Sequence, residues 1–417
     1  MHTALIVLTA ALAIDGTARG QNWPEYRGPY GNGRSDAVGV PTRWAETGNV
    51  LWKTPIHGKG WSSPVVWGNQ VWLTTAPEDG RQRYAVCLDR RTGKVVHDVK
   101  VFDDPKPAYC HPYNSYASPT AAVEPGRVYV HFGSCGTACL DTATGKVLWS
   151  RRDFPCDHFR GPASSPALYR GLVFLHFDGV DRQYVVALDK RTGKTVWKKD
   201  RGIDYGNVDG DLKKAYGTPT VMRAAGRVQL VSPAAAATTA YDPLTGAQLW
   251  RVYHGGMNAS ARPVFHGGKV ILCSSDGGLG LVAVRADGRG DVTASHIAWK
   301  RSKAVPNRSS LLLVDGLLYM VTEAGVVSCV EADTGREVWQ GRLRGPLIAS
   351  PVCAGGHVYL FNRDGSGYVL AAGRNWKVVA TNRLDEGCMA SPAVGGDSLF
   401  VRTLKHLYRI GPKGRGD

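Results

Sequence analysis

ALDKRTGKTVW, residues 187–197, sets the reading of this chain. It holds a short apolar strand, an aspartate, a Thr-Gly turn and a second strand ending in tryptophan. The same order of residue types returns in CLDTATGKVLW ending at Trp149, AYDPLTGAQLW at Trp250 and CVEADTGREVW at Trp339. CLDRRTGKVVH is a weaker copy with His97 in place of tryptophan, and SHIAWK carries Trp299 after an enlarged turn. Repetition of this kind describes an architecture before it describes a site, so it is weighed first.

A second signature keeps the same period. Ser-Pro-like segments place prolines at Pro64, Pro119, Pro166, Pro219, Pro263, Pro351 and Pro392, and the one double-length step contains Ser309-Ser310-Leu311, where proline is missing. That makes eight copies. Alternating β-branched and aromatic runs such as QVWLTT, RVYVHF and LVFLHF lie between the signatures, so each period reads as four strands, A at the Ser-Pro, B the alternating run, C ending at the aspartate and D ending at the tryptophan. A four-stranded unit cannot bury both its faces alone, and eight of them predict an all-β, eight-bladed β-propeller of four-stranded antiparallel blades over residues 47–410. The ends fit closure of the ring. TGNVLWKTP (47–55) is a D strand with nothing before it, and the last repeat stops after strand C at HLYRI (406–410), so the N-terminal strand should complete the last blade.

The repeat assigns Trp52, Trp149, Trp197, Trp250, Trp299 and Trp339 to packing between neighbouring blades. Cys87, Cys139 and Cys329 occupy the position of Ala187 and Ala240 and read as small buried residues, as do Cys273 and Cys353 inside strands. His131 and His176 lie within strand B of blades 2 and 3 and read as satisfied interior histidines, with a supporting role beneath the mouth as the alternative.

Outside the repeat, residues 1–20 contain an apolar run followed by a small-x-small pattern, read as a secretory signal; residues 21–46 form an N-terminal extension and 411–417 a tail. No cysteine follows the apolar run, so lipid attachment there is not expected, nor is a membrane-spanning segment. An exported protein, periplasmic or extracellular and monomeric, is the expectation. The net charge of +16 is scattered over repeated turns, so a solvated basic surface is expected rather than a nucleic-acid site. Nine cysteines is an odd number, which leaves at least one thiol without an intramolecular partner.

The pattern A-x-D-x-x-T-G-x-x-x-W, matched by Ala187, Asp189, Thr192, Gly193 and Trp197, resembles the tryptophan-docking repeat of the pyrroloquinoline-quinone-like propellers. WPEYRGPYGNG (23–33) resembles a segment of exported bacterial members. The resemblance implies a superfamily holding both quinoprotein dehydrogenases and the non-enzymatic propeller of outer-membrane protein assembly. For the dehydrogenases it implies a cofactor-stacking tryptophan, adjacent cysteines, and a calcium held by carboxylate and amide groups beside a catalytic aspartate. No two cysteines here are adjacent, so pyrroloquinoline quinone with calcium is possible but not favoured.

Function should sit where the copies differ, in the D-to-A crossovers ahead of each Ser-Pro. His57, His111, His158 and His254 fall in such crossovers, with Asn114, Asp157, Arg160, Asp204, Tyr205, Lys214, Asn258 and Arg308 as further ligand-binding candidates at a polar mouth. Three uses compete. The mouth could bind a small polar or anionic ligand or a glycan; it could be an enzyme site with His111 or His158 as base or ligand and Asp157 or Asp204 orienting it; or its loops could satisfy one another while a partner protein binds elsewhere. Cys110-His111 and Cys156-x-His158 admit a disulfide, a shared metal site, or two buried thiols.

Overall fold

The computed structural model describes residues 20–274, 276 and 280–413; the apolar run of the signal reading and residues 414–417 lie outside them. Eight sheets follow one another around a ring, each an A-B-C-D meander. In blade 3 the strands are Ala167–Tyr169, Leu172–Asp178, Gln183–Asp189 and Thr195–Asp200. Strand Val50–Pro55 pairs antiparallel with His406–Ile410 and becomes strand D of blade 8, so the ring closes between its two ends. Among the described residues no helix is long and apolar enough to cross a membrane.

The repeated motif has a mechanical explanation. The Asp189 carboxylate accepts from the backbone N–H of Arg191 (3.0 Å) and Thr192 (2.8 Å) and from the Thr192 hydroxyl (2.8 Å), which fixes the turn. Asp89 and Asp141 do the same. Each turn then needs a left-handed residue, and Gly93, Gly193, Gly246 and Gly335 supply it at φ between +68° and +72°. A second reason for glycine is the neighbour: a Cβ at these positions would meet the ring of Trp52, Trp149, Trp197 or Trp299 at 2.6 to 2.8 Å. Each indole thus lies on the bare turn of the next blade. Trp52, Trp149 and Trp197 add an N–H bond of 3.0 Å to the carbonyl of Arg90, Lys190 and Pro243, one residue past the turn aspartate. His97 uses the same seat, its Nε2 3.3 Å from the Thr142 carbonyl. Across the strand pair the ring faces a small residue, Cys87 for His97, Cys139 for Trp149 and Ala187 for Trp197, which leaves room for it.

The interfaces after blades 4 and 7 depart from the pattern. Trp250 is fully buried between blades 4 and 5, but its indole N–H returns to Gln229 of its own blade (2.7 Å). The enlarged turn of blade 5 explains this, since Gly290–Asp291 pairs parallel to Trp250 and Arg251 as a fifth strand and occupies the usual docking side. Blade 7 has Ala380 at the tryptophan position; there the N-terminal extension contributes Trp44, stacked 5.5 Å from Phe361 and 6.3 Å from Tyr359. In blade 2, Ala122 pairs with Tyr129 as Val65 pairs with Trp72, so the counterpart of Pro64 is Ala121 and not Pro119, two residues later than the alignment of prolines implied.

The extension also fills the axis. From Gly20 and Gln21, bonded to Gly396 and Arg90 on the turn face, it climbs the channel along the innermost strands: Trp23 pairs with Val66 and the Pro24 carbonyl takes the Val123 N–H. Tyr26 and Arg27 form the apex, and Gly33 and Ser35 descend along Cys353 of blade 7. Gly28, at φ +76°, has no room for a Cβ beside the Trp23 ring. Residues 23–33 are therefore a plug that enters and leaves by the turn face.

Replacing Trp197 with Ala should lower the free energy of unfolding by about 3–5 kcal/mol, read as a shift of the denaturant midpoint at unchanged slope. Gly193→Ala should cost about 1–3 kcal/mol or more, whereas Gly171→Ala, with open space around its Cβ, should be close to neutral.

Candidate functional site

Eight crossovers arrive at the axis on the face opposite the Thr-Gly turns. Their last residues before strand A form a belt: the N–H of Ser63 donates to Thr120 Oγ1 (2.9 Å), Thr120 to Ser165 Oγ (2.9 Å), Ser165 to Thr218 Oγ1 (3.0 Å), Arg262 to Ser310 Oγ (3.0 Å), Ser310 to Ser350 Oγ (2.9 Å) and Ser350 to Ser391 Oγ (2.9 Å). Each hydroxyl binds its blade to the one before it. Arg262 interrupts the belt and instead clamps the plug, through Glu25 (2.7 Å) and the Tyr26 carbonyl.

Above the belt lies an axial cavity of about 210 Å³, smaller than the usual pocket for a drug-sized ligand and suited to a compact one. Blade 1 lines it with Trp61, blade 2 with His111, Tyr113 and Asn114, blade 3 with Arg160, and blade 4 with Tyr216; blade 5 gives Asn258 and Asp276, blade 6 Asn307 and Arg308, and the remaining blades Ile348 and Met389. Tyr26 of the plug is the floor, its hydroxyl 3.0 Å from Ser310 Oγ and 3.3 Å from Ser350 Oγ.

Five of the twelve candidates read from the crossovers therefore border one cavity: His111, Asn114, Arg160, Asn258 and Arg308. Asn114 is largely spent on structure, donating to the carbonyls of Arg160 (2.8 Å) and Pro162 (3.2 Å). Asn258 donates to Asp276 (2.9 Å), and its own amide oxygen is buried without a partner among the described residues. Arg308 is 2.8 Å from Glu323, while Arg160 reaches only to 3.9 Å from Asp211 and among the described residues leaves Nε unbonded. Burial together with Arg160 and Arg308 holds the His111 imidazole below its ordinary pKa. Its Nδ1 accepts the Tyr113 N–H (3.2 Å), so the neutral ring carries its proton on Nε2.

The other seven lie elsewhere. His57 pairs with Asp98 (3.1 Å) in an outer groove between blades 8 and 1. Asp157 and Asp204 cap turns through the N–H of Phe159 and Gly206. Tyr205 packs at a lateral groove and Lys214 is buried on Asp211. His158 packs between blades 2 and 3, where Nε2 accepts the Ser134 N–H of the blade 2 hairpin (3.2 Å) and the ring centre is 6.2 Å from that of Phe177; His254 is bonded to Thr238 (2.9 Å) and the Gly255 carbonyl (2.6 Å).

The metal and disulfide readings meet the same geometry. All nine thiols are unpaired, and among the described residues no three His, Cys, Asp or Glu side chains are grouped to hold a metal ion. Cys156 is buried in the blade 3 core, 3.8 Å from His158 Nδ1, and Cys110 sits on the Arg160 carbonyl. The donor set implied by the quinone resemblance is not met either: the cavity offers Trp61 and amides, but among the described residues Asp276 is its one carboxylate and no cysteine lines it. Sequence reasoning missed Tyr26, Trp61, Tyr113, Tyr216 and the belt; the Gly- and aromatic-rich 23–33 stretch outside the repeat was the available signal.

A family model described as outer membrane protein assembly factor BamB matches residues 38–177, 181–299 and 289–407. Tetrathionate hydrolase of Acidithiobacillus ferrooxidans is 24% identical over 76% of this chain and 66% of its own. The chain spans no more than about two thirds of the curated relatives, 22% and 28% for the matched ethanol and methanol dehydrogenases. BamB of Moraxella catarrhalis shares the fold at TM-score 0.62 and 14% identity, over 88% of this chain and 98% of that one. Quinohemoprotein alcohol dehydrogenase of Comamonas testosteroni does so at 0.68 and 13%, over 96% and 82%.

Burial lowers the pKa of His158 and His254 to about 4 and of His131 to about 3. Kept neutral when folded, each contributes stability that is complete above the unfolded value near 6.5 and is lost as pH falls towards 4, at up to about 1.4 kcal/mol per pH unit. Denaturant unfolding from pH 7 to pH 4 should show this slope, and His158→Gln should reduce it. The Cys110 thiol is pushed up to about 11, so native-state alkylation at pH 8 should be on the order of 10²-fold slower than for a free thiol.

Proposed function

The chain belongs to the family of the outer membrane protein assembly factor BamB, and from that membership we propose an exported binding propeller whose axial cavity holds a compact polar ligand. The observation that carries this reading is the convergence of Trp61, Tyr113 and Tyr216 with Arg160, Arg308 and His111 around one cavity on the ring axis. Rings supply contact area, while the arginines and amides supply orientation. His111 lines the cavity with its proton on Nε2 and is not a general base in that tautomer, which favours binding over catalysis. Export rests on the apolar run and small-x-small pattern of residues 1–20. A partner protein, as the name assembly factor suggests for the family, would use surfaces outside this cavity.

Titration calorimetry with sodium tetrathionate, sodium sulfate and an uncharged sugar tests the reading. At least one probe should bind saturably, quench Trp61 fluorescence, and lose roughly tenfold or more in affinity in Arg308→Ala. Unchanged affinity in that variant would move the ligand to another surface.

A further inference from the structure

Resting on the cavity as the ligand site, we infer that the N-terminal plug is part of that site: Tyr26 is a ligand contact, and the plug and belt together receive an anionic oxygen.

The belt has a polarity. Thr120, Ser165, Thr218 and Ser391 each accept a backbone N–H from the neighbouring blade, and among the described residues none gives its own hydrogen to a protein acceptor. A hydroxyl whose oxygen is already engaged offers the next partner a hydrogen. All four line the cavity, so the wall around Tyr26 is rich in donors. Tyr26 closes the channel beneath them, which makes the cavity blind on the turn side.

The plug also carries charge. Arg27, directly below the floor, is 2% exposed and among the described residues bonds only to the carbonyls of Asn32, Leu311 (3.1 Å) and Pro351 (2.7 Å). Among the described residues its Nε and Nη1 have no partner, and no carboxylate pairs with it. The adjacent Glu25 is held by Arg262. A buried cation without a counterion is costly, and burial lowers its pKa to about 10, so it remains charged at neutral pH. An anion settling on Tyr26 would meet unspent hydroxyl hydrogens with a positive charge behind them, which a neutral polyol would use less well. The chemistry fits a sulfate-, sulfonate- or carboxylate-type terminus.

Sodium sulfate, the smallest such probe, tests the inference on the full chain by calorimetry, with amide hydrogen exchange across residues 23–33. Tyr26→Phe should weaken sulfate roughly tenfold without altering exchange in the plug in the absence of sulfate, and sulfate should slow that exchange in the wild type. Wild-type sulfate affinity in Tyr26→Phe, with loss in Arg308→Ala, would overturn the floor while leaving the cavity reading intact. No sulfate binding by the wild type while the uncharged sugar binds would overturn the anionic class. Sulfate bound unchanged in both variants would overturn this inference and the cavity reading together.

Discussion

The ring depends on the face of an indole lying on a turn that has no side chain. Everything in the Asp-x-x-Thr-Gly-x-x-x-Trp pattern serves that contact. The aspartate fixes the turn by accepting three hydrogens, the glycine permits its left-handed backbone and leaves the space the previous blade's ring fills, and a small residue across the strand gives the ring its slot. No blade can satisfy this alone, because ring and glycine belong to different blades. The stability of each blade is therefore borrowed from its neighbours, and an unclosed array would leave one indole and one turn bare.

A second tie runs nearer the axis and has a different chemistry. The hydroxyl belt joins successive blades through backbone N–H groups that would otherwise be unpaired next to a cavity. Docking holds the rim of the ring and the belt holds its inner wall. Arg262, the one member without a hydroxyl, is the residue that bolts the plug to blade 5. The break in the inner tie and the anchoring of the extension are one event.

How much of this could be read beforehand follows from what repeats. The eight blades, the closing strand and the docking rings were legible because the same constraint is written many times, so a copy such as CLDRRTGKVVH could be recognised despite His97. The site was less legible because each blade contributes a different residue to it. The crossover histidines shared a sequence position and not a direction: His111 lines the cavity, while His158 found the Ser134 N–H and an aromatic bed between blades 2 and 3. Tyr26 and Trp44 sit in a segment with no second copy, so periodicity had nothing to compare them with, although one floors the cavity and the other replaces the missing tryptophan of blade 7.

The closing strand has a consequence for the order in which the molecule is made. Tyr408 is bonded to Glu46 across 362 positions of sequence, and the plug touches blades 1, 2, 5, 6 and 7. The plug and the closing strand, which precede every blade in the sequence, are thus among the last segments to find their places. Early blades can pair within themselves, but channel and ring must stay open until residue 410 is available to Val50. Such long-range closure is slow relative to local hairpin formation, so the ring is expected to close only after strand His406–Ile410 has been made and can pair with Val50–Pro55.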